Sequence, residues 1–277
     1  MSPGRALAIL GAALLAACAG PTGLPQAPSA SPEAFTHHAR WIPAAGDSYQ
    51  IQYSGKLDTG VAAGIYDLDM FDTPAAVVAK LHGMGRRVVC YVDVGTWENW
   101  RPDAKEFPKR VLGNKDGHWK GERWLDVRAT SVLEPIMAHR LDLCKKKGFD
   151  GVDPDNLDGY QNNTGFPLTY REQLIYDSWV AKAAHDRGLT AAQKGDDGQV
   201  GDLVKVFDFA VVEQCFAQGW CKKFDLYTNA NRLVVDVEYY KNENRFLQKN
   251  CPEAAQNHDT AILKKLQLTA WLVTCKT

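Results

Sequence analysis

The chain carries almost no net charge. Its 32 lysines and arginines nearly balance 33 aspartates and glutamates, for a formal charge of −1. No segment gathers cations into a basic stripe, so a general polyanion binder is excluded and nucleic acid is not an expected partner. Long apolar runs are missing too. The one in residues 1–18, MSPGRALAILGAALLAAC, is too short to span a bilayer comfortably. No CxxC pair occurs, and none of the seven histidines falls at the end of a strand-like run. Zinc chemistry therefore lacks its ligands. No GxGxxG or P-loop fingerprint follows a strand-like run, and GxSxG is absent. Nucleotide binding and serine-hydrolase chemistry are left without support.

What the first residues do hold is an export signal: a weakly basic start (Arg5 and the amino terminus), an apolar run, then small residues. Leu15-Ala16-Ala17-Cys18 resembles a bacterial lipobox, in which the cysteine becomes the lipidated first residue. That implies a lipid anchor at Cys18; the alternative is a plain secretory signal cleaved near Ala17 or Ala19. Residues 19–39, with proline, alanine and serine prominent, read as a disordered tether, and residues 40–277 as one domain. The product is expected to be exported, as a surface lipoprotein or a secreted monomer. Six cysteines remain after Cys18, an even number that suggests disulfides. Spacing alone leaves the pairing open; we expect Cys90–Cys144, Cys215–Cys221 and Cys251–Cys275.

From residue 40 the chain alternates short apolar runs with amphipathic ones. Strands are expected at 49–54, 63–69, 87–94, 123–128, 149–155, 189–195, 207–215 and 233–239. Helices are expected at 73–85, 131–148 and 168–188, with weaker ones at 197–207 and 222–232 and a last one at 258–268. At Gly85, Gly148 and Gly188 a helix meets a glycine and then a strand, the grammar of a helix stop in a left-handed conformation. Eight strand–helix units favour a closed (β/α)8 barrel of the TIM type, stapled by disulfides, over an open doubly wound sheet. Residues 95–122, with three tryptophans, form a long loop after the third strand, and TAWLVTCKT (269–277) is an extra apolar segment.

In such a barrel the site lies at the C-terminal ends of the strands. There nearly every strand carries charge: Asp67 and Asp69, Asp93, Asp126 and Arg128, Asp153 and Asp155, Lys194 and Asp196, Glu213, and Asp236 and Glu238. Residues two apart share a face, so Asp153 pairs with Asp155, and Asp236 with Glu238. Val152, Val212 and Cys90 then face the helices. Two cations cannot neutralise so many acids, which points to a cleft rather than a salt-bridged rim. DPDNLDG fails as an EF-hand loop: from Asp153, the sixth position is Asp158 where glycine is needed, and the twelfth is Thr164. No metal and no cofactor is expected. Two carboxylates across a cleft are the apparatus of glycoside hydrolysis, one protonated and one ionised. Glu213, after a strongly apolar run, suits the acid/base role, and Asp155, beside Asn156, the ionised one. Aromatics near the rim, among them Tyr53, Tyr91, Trp97 and Tyr160, offer faces on which sugars stack.

GFDGVDPDNLDGY (148–160), with WLDVR upstream and FAVVEQCF downstream, resembles the endo-α-1,4-polygalactosaminidases, glycoside-hydrolase family 114. IYDLDMFDT and AKAAHDRGLTAAQKG are similar to that family as well. The resemblance covers roughly residues 40–277 and implies a (β/α)8 fold, no cofactor, and hydrolysis of α-1,4-linked galactosamine polymers. It implies Asp155 as nucleophile, with Asp153 as its rival, and Glu213 as acid/base. The substrate-binding residues expected with them are Asp67, Asp69, Tyr91, Asp93, Trp97, Asp126, Asp153, Asn156, Tyr160, Lys194 and Glu238. An acidic cleft fits a polysaccharide whose amines are protonated. The alternative is a catalytically silent surface barrel that binds such a polymer.

Overall fold

The computed structural model describes residues 40–117 and 119–275; the expected signal segment and tether lie outside the described residues. Three parallel strands open the fold: β1 (Tyr49–Gln52), β2 (Ile65–Asp69) and β3 (Arg87–Asp93). An excursion follows, in which β4 (Thr96–Glu98), β5 (Leu112–Lys115) and β6 (Glu122–Leu125) make a small antiparallel sheet in the order β4-β6-β5. The main sheet then resumes with β7 (Gly151–Asp155), β8 (Thr190–Lys194), β9 (Phe209–Glu213), β10 (Val234–Glu238) and β11 (Thr260–Leu263). These eight strands are parallel and lie in sequence order, and β12 (Val273–Thr274) joins β11 antiparallel as the ninth. Helices α1 (Ala75–Gly83), α2 (Thr130–Lys147) and α3 (Tyr170–His185) cover the outer face. No helix of the described residues is long and apolar enough to cross a membrane.

Local chemistry explains these boundaries. Helix α2 stops at Gly148, whose φ of 93° lets its N–H reach back to the carbonyls of Cys144 and Lys145. Helix α3 starts on a capping box: Thr169 Oγ1 accepts from the Glu172 N–H, and Glu172 accepts from the Thr169 N–H. The strands are buried on both faces. Inward, Tyr49, Ile51, Ile65, Val89, Ala192, Phe209, Val211, Val235, Val237 and Ile262 form one apolar cluster. Outward, Tyr66, Leu68, Cys90, Val152, Val212 and Val234 pack with the helices in another. The disulfides join the expected pairs: Cys90–Cys144, Cys215–Cys221 and Cys251–Cys275.

Two expected elements are corrected. RWLDVR is not a strand of the main sheet, because Glu122–Leu125 pairs antiparallel with β4 and β5. Strand β3 instead pairs directly with β7. HDTAILKKLQL is not a helix: Thr260–Leu263 is the eighth parallel strand. The reason lies in Lys264, which reads as a solvent-facing helix position but is 2 % exposed. Its ammonium donates to Gln50 Oε1 and the Thr269 carbonyl, both at 2.8 Å. The expected helices 197–207 and 222–232 shrink to Val200–Leu203 and to short turns at Cys221–Phe224 and Asp225–Thr228.

Between β1 and the segment after β11 the sheet is joined without a strand ladder. Tyr53 and Ser54 donate their N–H groups to the Leu268 carbonyl at 3.0 and 3.2 Å. Gln50 Nε2 donates to the Ala270 carbonyl at 3.0 Å. With Lys264 on Gln50, side chains supply much of this seam.

Candidate active site

Alternation along the strands sends one set of side chains inward, apolar at the bottom and polar at the C-terminal ends. At the top of β8 stands Lys194, 6 % exposed. Its ammonium lies 3.0 Å from Asp153 Oδ2, 3.6 Å from Asp155 Oδ1 and 3.7 Å from Glu213 Oε1. One cation thus serves three carboxyls from the two strands beside β8. Each takes hydroxyl or amide donors as well. The Tyr91 hydroxyl donates to Asp155 Oδ2 at 2.9 Å, and the Asn156 N–H to Asp155 Oδ1 at 2.9 Å. The Tyr53 hydroxyl donates to Asp153 at 3.3 Å. Tyr239 lies beside Glu213, close enough to favour its ionised form. Tyr53 and Tyr91 pack ring on ring with centroids 4.3 Å apart, which fixes where both hydroxyls point.

Asp155, Lys194 and Glu213 line an open cleft of about 300 Å³. Asn156, Asp158, Asp196, Gln218 and Trp220 form other parts of its wall. Partial desolvation raises the pKa of Glu213 above the ordinary glutamate range, and Asp155 and Asp153 add to it, while Lys194 and the Tyr239 hydroxyl oppose. Burial lifts Asp196 to about 7, with Asp158 adding repulsion and the Tyr160 hydroxyl opposing.

The expected site residues divide into groups. Asp155, Asn156, Lys194 and Glu213 meet in the cleft. Tyr91, on Asp155, and Asp153, under Lys194, hold them from below. Asp67 is deeper still, fully buried, with the Tyr49 hydroxyl on its Oδ2 at 2.8 Å. Tyr160 touches the cleft wall through its hydroxyl, 3.1 Å from Asp196. Asp93 accepts from the Gly95 and Thr96 N–H groups, the Thr96 hydroxyl and Asn156 Nδ2. It thereby ties the cleft to the excursion.

Four others are not brought to the cleft. Asp69 accepts from the N–H groups of Phe71 and Asp72 and pairs with Arg101 at 2.6 Å. Trp97 donates its indole N–H to the Ala104 carbonyl and packs on the outer core. Asp126 is paired with Arg128. Glu238 points outward: on β10 it is Val235 and Val237 that face in, so Asp236 and Glu238 share the outer face with Val234. There they accept from the N–H groups of Cys215 and Ala217, both at 3.0 Å, and secure the turn that follows Glu213.

Sequence reasoning missed Asp158, Gln218, Trp220 and Tyr239. The signal for Tyr239 was the alternation Val235, Val237, Tyr239. For Gln218 and Trp220 it was their place inside the six-residue span closed by Cys215 and Cys221. One group of oxygen donors could hold a metal ion: Asp93, Glu98 and Glu122 have ligand atoms all within 4.8 Å of one another. Burial and mutual repulsion push Asp93 up to about 8 and Glu122 to about 9, which disfavours the doubly and triply charged cluster. Arg101 holds Glu98 at 2.6 Å.

Comparison with known proteins bears on the same domain. The model of glycoside-hydrolase family GH114 matches residues 30–277. The structure of Aspergillus fumigatus Ega3 in complex with galactosamine superposes with a TM-score of 0.81 at 33% identity, covering 86% of this chain and 98% of that one. The glycoside hydrolase domain of Pseudomonas aeruginosa PelA shares the fold, with a TM-score of 0.66 at 15% identity over 83% of this chain and 99% of that one. An uncharacterized protein of Deinococcus radiodurans is 31% identical over 201 residues, 63% of each chain.

Proposed function

Because the chain belongs to glycoside-hydrolase family GH114, we propose that it is an endo-acting hydrolase of α-1,4-linked galactosamine polymers, with Glu213 as acid/base and Asp155 as nucleophile. The observation that carries this reading is the shared cation: Asp155 and Glu213 both lie within 3.7 Å of the Lys194 ammonium. Their oxygens are therefore no further apart than those two distances together. That bound admits the separation of about 5–5.5 Å of a retaining pair and reaches only the short end of the inverting range of about 6.5–9.5 Å. The match to Ega3, solved with galactosamine, supports the amino-sugar substrate. So does the acidic wall of Asp158 and Asp196, which suits protonated amines. The parallel strand order and its seam support a closed (β/α)8 barrel. Three disulfides support folding in an oxidising compartment outside the cytoplasm, and the lipobox-like Leu15-Ala16-Ala17-Cys18 is what supports Cys18 as a lipid anchor.

In the first step Glu213 gives its proton to the glycosidic oxygen as Asp155 attacks the anomeric carbon. The glycosidic C–O bond breaks, the shortened polymer leaves with the proton, and a glycosyl ester forms on Asp155. In the second step Glu213, now ionised, takes a proton from water, whose oxygen attacks the same carbon and frees Asp155. Because Glu213 has a raised pKa, it stays protonated to higher pH than a free glutamate, and the rate falls as pH rises through that raised value. Incubation with de-N-acetylated α-1,4-galactosaminan, beside chitosan and the N-acetylated polymer, tests the reading. Oligomers are expected from the first substrate alone. Glu213→Gln should lower the rate by about 10²–10⁴-fold. Absence of oligomers from the folded wild-type protein would overturn it.

A further inference from the structure

Beneath the cleft the polar layer does not end at Asp153. Asp67 and Asp153 are both fully buried, and each directs one oxygen at ordinary donors. Asp67 Oδ2 takes the Tyr49 hydroxyl; Asp153 Oδ2 takes the Tyr53 hydroxyl and the Lys194 ammonium. The second oxygens, Oδ1 on each, meet no donor among the described residues. The two carboxyls perturb each other's proton affinity, and a proton on one is the donor that both lone oxygens lack. Two carboxylates cannot hydrogen-bond unless one carries a proton.

The charge count points the same way. Four carboxyls, Asp67, Asp153, Asp155 and Glu213, face one ammonium in this layer, and the other groups turned toward it are the phenols of Tyr49, Tyr53, Tyr91 and Tyr239. Like charges this close in a dry site do not all ionise. Asp153 has the Lys194 ammonium at 3.0 Å, whereas the donor on Asp67 is a neutral phenol, Tyr49. The proton therefore belongs to Asp67, whose Oδ2 is then the carbonyl oxygen that accepts from Tyr49.

We propose that Asp67 is a neutral carboxylic acid in the working protein, a positioning residue that donates its proton to Asp153 and through it fixes the Lys194 ammonium between Asp155 and Glu213. Burial and the Asp153 charge both favour this neutral form, with Lys194 opposing. The acid completes the hydrogen bonding of Asp153 without adding charge. Asp153 then stays a single carboxylate that shares Lys194 with the two reacting groups. Were Asp67 ionised, a further negative charge would draw Lys194 down and away from the cleft. The consequence for chemistry rests on the two-carboxylate reading above; the protonation state of Asp67 does not.

Asparagine is the uncharged mimic of a protonated aspartic acid: its amide N–H can donate to Asp153 and its carbonyl can accept from Tyr49. Asp67→Asn should keep both limbs of the pH–rate profile within about half a pH unit of wild type, with kcat lowered less than about tenfold. Asp67→Ala leaves Asp153 without its donor and should lower kcat at least 100-fold or move the alkaline limb by a pH unit or more. Loss of activity in Asp67→Asn as deep as in Asp67→Ala would overturn the proposal, since it would mean that Asp67 works as an anion. A second readout needs no turnover. In protein carrying ¹³C-labelled aspartate side chains, the Asp67 carboxyl, assigned by its loss in Asp67→Asn, should stay at the protonated position from pH 5 to 8. A resonance at the ionised position at pH 6 would overturn the proposal whether or not the protein cleaves galactosaminan.

Discussion

At the scale of single residues, Gly95 shows how little room surrounds Asp155 and the turn that follows it. A Cβ there would lie 1.8 Å from the Asn156 carbonyl oxygen. Asn156 itself sits at φ 64°, directly after Asp155, and sends its amide to Asp93. Backbone held in that region at a site is maintained by its surroundings, and here Gly95 leaves the space for it. Gly95→Ala should therefore cost about 1–3 kcal/mol in urea unfolding, the range of an overpacked core, and lower kcat by displacing Asp155. A variant with full stability and full activity would show that the loop gives way freely. The cleft carboxyls were legible in the sequence because Glu213 ends the apolar run Phe209–Val212 and Asp155 ends the short segment that follows the helix stop at Gly148. Glu238 was misread for an equally physical reason. VVDVE is buried on both faces, so alternation tells which residues share a face but not which face is inside.

At the scale of elements, the three disulfides have unlike tasks. Cys90–Cys144 ties β3 to α2 across 54 residues, while Cys215–Cys221 closes a span of only 6 that carries Gln218 and Trp220 in the cleft wall. In the loop-entropy account the first is worth about 4 kcal/mol and the second about 2 kcal/mol. Replacing Cys90 and Cys144 by alanine should lower the Tm strongly and leave KM near wild type. Replacing Cys215 and Cys221 should do the reverse, raising KM several-fold with a smaller change in Tm. Paired melting curves and kinetics would separate the two, and equal effects in both would refute the division. The number of parallel strands was legible, but one member was wrong. RWLDVR has the alternation of any half-buried strand, and nothing local says to which sheet it belongs. TAIL, four residues long, carries too little periodicity to outweigh the helix-like spacing of Ile262, Leu263, Leu266 and Leu268. Only long-range pairing, with Val235 through Glu238 beside it, settles that segment as a strand.

At the scale of the whole molecule, the main sheet is knit by parallel ladders from β1 through β11, and its two outer members meet across the seam at Gln50, Lys264 and Leu268. A molecule joined in this way has a preferred place to come apart. Where a ladder breaks, neighbouring strands lose several backbone bonds together; at the seam, only a few scattered contacts must yield. In deuterated solvent the amides of β1 and β11 should exchange well before those of β3 and β7. Lys264→Met should widen that gap while leaving the interior strands as slow as before. Uniform exchange across all eight strands would mean that the seam is as strong as any ladder. Opening at the seam would also separate Tyr49 and Tyr53, which belong to β1 and its end, from the carboxyls that they hold. The slow breathing of the sheet and the readiness of its acids for chemistry would then be one event seen on two clocks.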